Sequence, residues 1–320
     1  MINLKTLTQK IQKQNYFASG HRTCAGCAIP IIVRTILAAS KDPVVVVGAT
    51  GCLQITSAIY PQTSWNMPWM HNAFENASAT ISGIERAYYF LKKKNKTPLR
   101  DSDNHRSKKI NFVVFGGDGG TYDIGLQSLS GALERGHNFV YVCYDNEAYM
   151  NTGNQRSSAT PYGAITSTTP DGKKVFKKDL IKIVSAHNIP YVAQSAVHNW
   201  SDLYQKAEKA FQIKGPAVLN VFSPCSLNWK FPFDSTIQIS KIATETCFWP
   251  LYEIENGQYK LNYQPKTKLP VEEFLKLQKR FAHLFKPENK KTPLRDSDIH
   301  RNIEIIQKKI DEKWQELISL

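Results

Sequence analysis

The chain has 320 residues, 42% of them hydrophobic, and a formal net charge of +14. That length allows one large α/β domain or two small ones, and the apolar content is enough to bury a core. The best membrane candidate, residues 29–39, is too short and contains Arg34, and residues 1–17 lack the apolar segment of a secretory signal, so a cytoplasmic protein with no membrane partner is expected. Lysine pairs and triplets at 92–94, 173–174, 177–178 and 290–291 read as solvated faces, or as a basic surface that attracts an acidic partner. No basic stripe interleaved with aromatics and no reader motif occurs, so nucleic acid is not an expected partner. Six cysteines in a cytoplasmic chain point to metal or redox use rather than disulfides.

Residues 1–15 are polar and lysine-rich and predict a short helix or a loose arm. Cys24 and Cys27 then form a C-x-x-C ahead of an apolar run in which Ile31, Ile32, Thr35 and Ile36 suit one helix face. Such a pair at a helix start presents two sulfurs to one metal centre, unless it is a packing pair or a thioredoxin-like site. Residues 43–47 read as a buried strand running through Gly48 to Cys52, which places Cys52 at a strand's carboxyl end. Residues 59–86 predict an irregular loop carrying Trp65, Pro68, Trp69 and His71, followed by a helix. His71 reads as a hydrogen-bonded structural histidine and Glu75 as a helix-start or subunit-contact residue. Residues 92–109 are a charged loop. The octapeptide KTPLRDSD at 96–103 recurs at 291–298 with unlike flanks, so it is not a domain repeat; both copies suit surface loops, and no function is assigned to them.

Residues 112–152 read as strand, glycine turn, helix, strand and turn. The run 112–115 is apolar and β-prone, as in a buried parallel strand. Gly116, Gly117, Gly119 and Gly120 surround Asp118 and let the backbone turn sharply beside a ligand. Leu126, Leu129 and Leu133 follow at helical spacing, Gly136 sits at a helix stop, and 139–144 form a second strand ending in Asp145 and Asn146. This pattern suits a diphosphate held through a divalent cation. The Asp118 carboxylate, the Asn146 amide oxygen and the Ala148 carbonyl offer hard oxygen donors, and the start of the helix after Gly120 favours an anion. The alternative is a plain strand–helix turn with Asp118 as its cap. G-x-G-x-x-G is missing, which disfavours a dinucleotide fold.

Downstream, 178–189 predicts an amphipathic helix, 190–194 a strand, 201–213 a helix and 217–222 the last strand. Strand and helix alternate throughout, so the expected fold is α/β, an open, mostly parallel sheet with helices on both faces. We expect a first domain over 1–235 and a C-terminal extension over 236–320. The extension reads as a hairpin around Asn256-Gly257 and amphipathic helices over 271–284 and 302–318, packed on its own domain or on a partner. Cys225 follows the 217–222 strand. Cys24, Cys27, Cys52 and Cys225 suffice for a four-thiolate site, and spacing alone does not separate zinc from a [4Fe–4S] cluster, although one pair plus two scattered cysteines favours the cluster. Cys143 and Cys247 read as packing residues.

The segments GGDGGTYDIGLQSLSGALERGHN and DNEAYMNTGNQRSSATP resemble the thiamine-diphosphate motif of the β subunits of pyruvate:ferredoxin (or flavodoxin) oxidoreductases. The resemblance covers nearly all of 16–290. It implies a thiamine-diphosphate-binding fold with Mg²⁺ on Asp118, Asn146 and the Ala148 carbonyl. It further implies a diphosphate cradle of Gly117, Gly119, Gly120 and Thr121, cofactor contacts from Thr152 and Cys52, and Asn151 facing the reacting carbon as the catalytic contact. It places a [4Fe–4S] cluster on Cys24, Cys27, Cys52 and Cys225. The implied activity is oxidative decarboxylation of pyruvate with coenzyme A to acetyl-CoA. The implied partners are an α subunit, γ and δ (ferredoxin-like) subunits, and ferredoxin or flavodoxin as carrier. The Pro68-Trp69 to His71 and Phe74 to Asn76 segments resemble pyruvate and branched-chain members rather than the 2-oxoglutarate type. Ala28, Gln54 and Asn154 depart from the family pattern without removing a ligand; Asn154 replaces a common glycine and suits a positive φ. The glutamate that activates the cofactor and the arginine that binds the substrate lie on the α subunit in this family, so the chain is expected to be inactive alone. A non-oxidative thiamine enzyme half and a zinc-bound interaction protein are the other classes considered.

Overall fold

The computed structural model describes residues 2–94, 109–285 and 296–320, with side chains in the last segment from 301 onward. The first KTPLRDSD copy, and the second up to residue 295, lie outside the described residues. In chain order the elements are α1 (Leu4–Gln14), α2 (Ile29–Ala39), β1 (Val44–Ala49), α3 (Cys52–Ser57), β2 (Trp69–Asn72), α4 (Ala77–Lys93) and β3 (Asn111–Gly117). A wide π turn over Gly119–Ile124 leads into α5 (Leu126–Glu134), β4 (Val140–Asp145), α6 (Leu180–Ser185), β5 (Tyr191–Ala196), α7 (Trp200–Gln212) and β6 (Ala217–Phe222). The C-terminal part holds α8 (Ser226–Trp229), α9 (Thr236–Glu245), β7 (Tyr252–Glu255), β8 (Gln258–Leu261), α10 (Glu272–Leu275), a 3₁₀ segment Lys279–Leu284 and α11 (Asp296–Ser319).

The strands form one sheet in the order β2-β1-β3-β4-β6-β5-β7-β8. The first six are parallel, and β7 and β8 add antiparallel at one edge. Both faces are covered, which is why β1, β3 and β4 read as near-continuous apolar runs rather than alternating ones. One face packs Val46, Phe115, Val142 and Leu219 against α2 and α7; the other packs Val114, Tyr141 and Val218 against α4, α5 and α6. α2 carries Pro30 in its first turn, where no N–H is needed, and buries Ile32, Val33 and Ile36. Ile31 departs from the expected face: it is 42% exposed, because Val33 takes the inward position.

The hairpin turns at Asn256 and Gly257, both with positive φ, as a two-residue type I′ turn requires. It pairs with β5 and so continues the main sheet rather than standing apart from it. The expected helix over 178–189 shortens to α6, since Pro190 and the turn at Asn188 (φ +53) stop it. The expected helix over 271–284 divides into α10 and the 3₁₀ segment, and β2 is a strand that the Trp- and Pro-rich segment did not suggest. α11 lays Ile303, Ile306, Ile310 and Trp314 on this chain's own core and is tied down by Lys313 to Asp179 at 2.8 Å. No helix among the described residues is long and apolar enough to cross a membrane.

One consequence of this packing is measurable. His198, just after β5, lies with Nδ1 3.1 Å from the Ser240 hydroxyl of α9, and burial holds its imidazole down to about 4. The unfolded chain therefore binds this proton more tightly than the fold does. Its stability contribution is complete above pH 6.5 and is lost as pH falls toward 4. The loss should reach about 2 kcal/mol near pH 5, and His198→Gln should flatten the thermal-melt curve between about pH 7 and pH 5.

Candidate functional site

β3 and β4 are neighbours in parallel register, with Gly117 opposite Tyr144. Their carboxyl ends therefore deliver Asp118 and the turn at 145–148 to one point, the usual ligand side of such a sheet. Asp118 is 1% exposed. The Asn146 side-chain oxygen faces two other oxygens, Asp118 Oδ1 and the Ala148 carbonyl; turned end for end, the amide nitrogen would donate to them at 2.8 and 2.9 Å. With the amide oxygen inward, three oxygens of carboxylate, amide and carbonyl type converge at that point. That donor set fits a hard divalent cation. Burial first, then the charge of Asp145, pushes the Asp118 carboxyl well above the usual carboxylate range, with the Ser157 hydroxyl, which donates to Asp118 Oδ2 at 2.5 Å, opposing the shift. A cation would offset that cost.

Above this point is a small cleft whose lining includes Gly117, Asp118, Gly119, Gly120, Asn146, Ala148, Asn151, Thr152 and Cys52. Thr121 is the exception among the expected residues: its hydroxyl donates to the Gly117 carbonyl at 2.7 Å and meets Tyr141 Oη at 3.0 Å, inside the wall. The glycines are needed for space. A Cβ at Gly119 would stand 2.3 Å from the Tyr149 ring, and one at Gly117 3.2 Å from the Tyr144 ring. Tyr149 also donates to the Gly119 carbonyl at 3.0 Å, fixing the turn. Asn154 stands at φ +62, the conformation its place in a glycine position required.

A second cavity, of about 150 Å³, is lined by Cys24, Cys27, Cys52 and Cys225 and shares Cys52, Asn146, Met150 and Asn151 with the cleft. The C-x-x-C loop is pinned to the C-terminal part of the chain: Ser226 donates to the Ala25 carbonyl at 2.8 Å and Thr236 to the Gly26 carbonyl at 2.6 Å. Gly26 (φ +70) faces the Phe233 carbonyl so closely that a Cβ would lie 2.0 Å from it. Burial pushes the Cys27 thiol up to about 12 and the Cys52 and Cys225 thiols up as well, so these sulfurs ionise only against a strong positive centre. Among the described residues no three His, Cys, Asp or Glu side chains are close enough to share a single metal ion. Four thiols around one cavity suit a thiolate-bound metal centre. Cys143 lies in the core on the α5 side of the sheet and Cys247 in the core beneath α11, away from this cavity.

Sequence reasoning missed several contributors. Ser157 on Asp118, and Thr50 and Phe74 in the cleft wall, come from loops whose approach no local motif encodes. It also missed the buried ion pairs around the 145–148 turn. Lys177 stands 3.2 Å from both Asp145 and Glu147, and Arg280 is 2.6 Å from Glu147. His71 is partnered by the Thr50 hydroxyl at 2.7 Å and stacked on Trp69, which suits a structural role.

Residues 49–221 match the C-terminal thiamine-pyrophosphate-binding domain of thiamine pyrophosphate enzymes. That is the class the sheet, the glycine turn and the converging oxygens define. Across the whole chain, the pyruvate synthase subunit PorB of Methanocaldococcus jannaschii is 47% identical, covering 96% of this chain and 98% of the relative. The PorB subunit of Thermotoga maritima is 46% identical, covering 100% and 96%. The ketoisovalerate oxidoreductase subunit VorB of Pyrococcus abyssi is 43% identical, covering 96% and 94%. Among solved structures, 2-oxoglutarate:ferredoxin oxidoreductase from Magnetococcus marinus superposes with a TM-score of 0.55 at 22% identity over 66% of this chain and 67% of that one, which supports the fold. The chain belongs to the PorB family of pyruvate synthase subunits.

Proposed function

We propose that this chain is the β subunit of a cytoplasmic pyruvate:ferredoxin (or flavodoxin) oxidoreductase, which converts pyruvate and coenzyme A to acetyl-CoA and CO₂. The observation that carries the reading is the three-oxygen cation site sharing a wall, Cys52 and Asn151 included, with a cavity lined by four thiols. Asp118, Asn146 and the Ala148 carbonyl would hold Mg²⁺. The backbone from Gly117 to Thr121 would receive the diphosphate of thiamine diphosphate. Cys24, Cys27, Cys52 and Cys225 would hold a [4Fe–4S] cluster. When bound, thiamine diphosphate would supply carbanion stabilisation and the cluster would accept electrons one at a time. Asn151, exposed and lining both cavities, orients the substrate by hydrogen bonding, and Thr152 closes the same edge. Six free thiols suit the reducing cytoplasm.

Among the described residues that line the cleft, Asp118 is the only charged side chain. A carboxylate to activate the cofactor and a cation to place a 2-oxoacid must therefore come from elsewhere, which supports an α subunit closing the cleft, with γ and δ subunits relaying electrons. The isolated chain should show no pyruvate-dependent reduction of an electron acceptor. Adding the α subunit should restore hydrogen–deuterium exchange at C2 of thiamine diphosphate, and reduction of the carrier should need the whole complex. Carrier reduction should also weaken with salt, since the +14 surface guides an acidic partner. Turnover by the chain alone would overturn the half-site reading. Preference for 2-oxoisovalerate over pyruvate in kcat/KM would move the assignment to the branched-chain activity.

A further inference from the structure

The turn at 145–148 carries two of the three converging oxygens, on Asn146 and Ala148, and the residue between them is Glu147. Glu147 is fully buried and stands at φ +65, a conformation that side-chain-bearing residues seldom adopt unless their surroundings impose it. Its neighbours account for most of the turn's polar groups. The Asp145 carbonyl accepts from Ser223 N at 2.9 Å, the Asn146 carbonyl from Trp229 Nε1 at 3.2 Å, and the Glu147 carbonyl from the Thr160 hydroxyl at 2.6 Å. The Ala148 carbonyl is left facing the Asn146 amide.

One side chain braces both sides of this turn. Arg280, on the 3₁₀ segment of the C-terminal extension, donates to Glu147 Oε2 at 2.6 Å while its guanidinium lies 3.6 Å from the centroid of the Trp229 ring. Trp229 is the residue that holds the Asn146 carbonyl. Arg280 is itself 6% exposed and is oriented by Gln278, whose Oε1 accepts from Nε at 2.8 Å. A planar, permanently charged fork can pair bidentately with a carboxylate and lie flat on an indole at once, a geometry that a lysine's compact ammonium does not match.

We propose that Arg280, acting through Glu147 and Trp229, is a positioning residue that sets the Mg²⁺ affinity of the thiamine-diphosphate site. This rests on the cation-site reading above. Arg280 fixes the Glu147 backbone and the Asn146 carbonyl, and thereby the separation of the two donors that flank Glu147. The C-terminal extension is thus coupled to the metal site through a residue far from it in sequence. Removing the guanidinium leaves Glu147 with Lys177 alone, frees the Trp229 ring, and lets the two donors move apart.

The test uses the assembled complex, stripped with a chelator and titrated with Mg²⁺ at fixed thiamine diphosphate, with retained cofactor as the readout and a thermal melt of the metal-free complex beside it. Arg280→Met should raise the Mg²⁺ half-saturation about 10-fold or more, the usual consequence of losing a residue that supports metal ligands, and Arg280→Lys should fall between it and the wild type. A purely structural role lowers the metal-free melting temperature and leaves the Mg²⁺ requirement alone. Half-saturation within about twofold of wild type therefore overturns the proposal, whatever the melt shows. If Arg280→Met does not assemble, Glu147→Gln, which keeps the shape and an acceptor, should raise the requirement in the same way, and an unchanged value there also overturns it. Asp118→Ala separates the two readings. Cofactor loss there with no shift in Arg280→Met sinks this inference alone; cofactor kept by Asp118→Ala sinks it together with the site.

Discussion

Asp118→Ala should yield a complex that assembles but purifies without thiamine diphosphate at ordinary Mg²⁺ concentrations. Asp118 is the only charged side chain among the three converging donors, and the other two are neutral oxygens that bind Mg²⁺ weakly on their own. Deleting it takes away one partner of a buried charge pair, an effect of about 3–5 kcal/mol, or roughly a hundredfold and more in cofactor affinity. The metal-free protein should respond in the opposite sense. Burial and the neighbouring Asp145 already disfavour an ionised Asp118, so Asp118→Asn, which preserves shape and an acceptor for Ser157, should leave the metal-free melting temperature unchanged or raise it. Cofactor content, measured after denaturing the purified complex, checks the first expectation, and a chelator-treated melt checks the second. Normal thiamine diphosphate content in Asp118→Ala would remove the cation site from 118, 146 and 148.

The parts of this site that are legible in the sequence are those encoded locally. A strand ending in Gly-Asp-Gly and a parallel neighbour ending in Asp-Asn need only the sheet's register to bring their tips together, and Gly117 opposite Tyr144 provides it. The glycines at 117 and 119 are visible for the same reason: a residue type that leaves room is written at the position where room is needed. The residues that escaped are those whose role depends on distant packing. Arg280 follows an undistinguished Gln-Lys pair in a segment whose spacing looked like an ordinary amphipathic helix. Nothing local says that the helix breaks into α10 and a 3₁₀ turn, or that this break points the guanidinium at Glu147. Ser157 and Phe74 escaped likewise, because loops carry no periodicity. α11 is the converse case. Its apolar stripe was plain, but a stripe does not state its partner; the structure gives its own chain as that partner through residues such as Ile306 and Trp314.

Cys24→Ser, Cys27→Ser, Cys52→Ser and Cys225→Ser should each lose or degrade the iron–sulfur centre, whereas Cys143→Ser and Cys247→Ser should keep it. The first four line one cavity, and three of them lie in surroundings that keep a bare thiol protonated, Cys27 up to about 12. Iron changes that balance because the thiolate becomes the stable form only when bound, and an alcohol in its place neither ionises there nor ligates as strongly. Cys52 should be the most damaging of the four. It borders the cofactor cleft as well as the thiol cavity and opens α3 just after β1, so Cys52→Ser should disturb electron transfer from the cleft even where some iron is retained. Cys143 sits in the centre of β4 with no exposure, and Cys247 lies among Ile303, Trp249 and their neighbours. A serine at either buried position replaces a weakly polar sulfur with a hydroxyl, which Thr121 can partner only at 143, and should cost about 1–3 kcal/mol of stability or less without touching the iron content. Anaerobic iron and sulfide analysis with an EPR spectrum of the reduced complex measures the outcome for all six variants. Loss of iron in Cys143→Ser together with full iron in Cys225→Ser would show that the fourth ligand is misassigned.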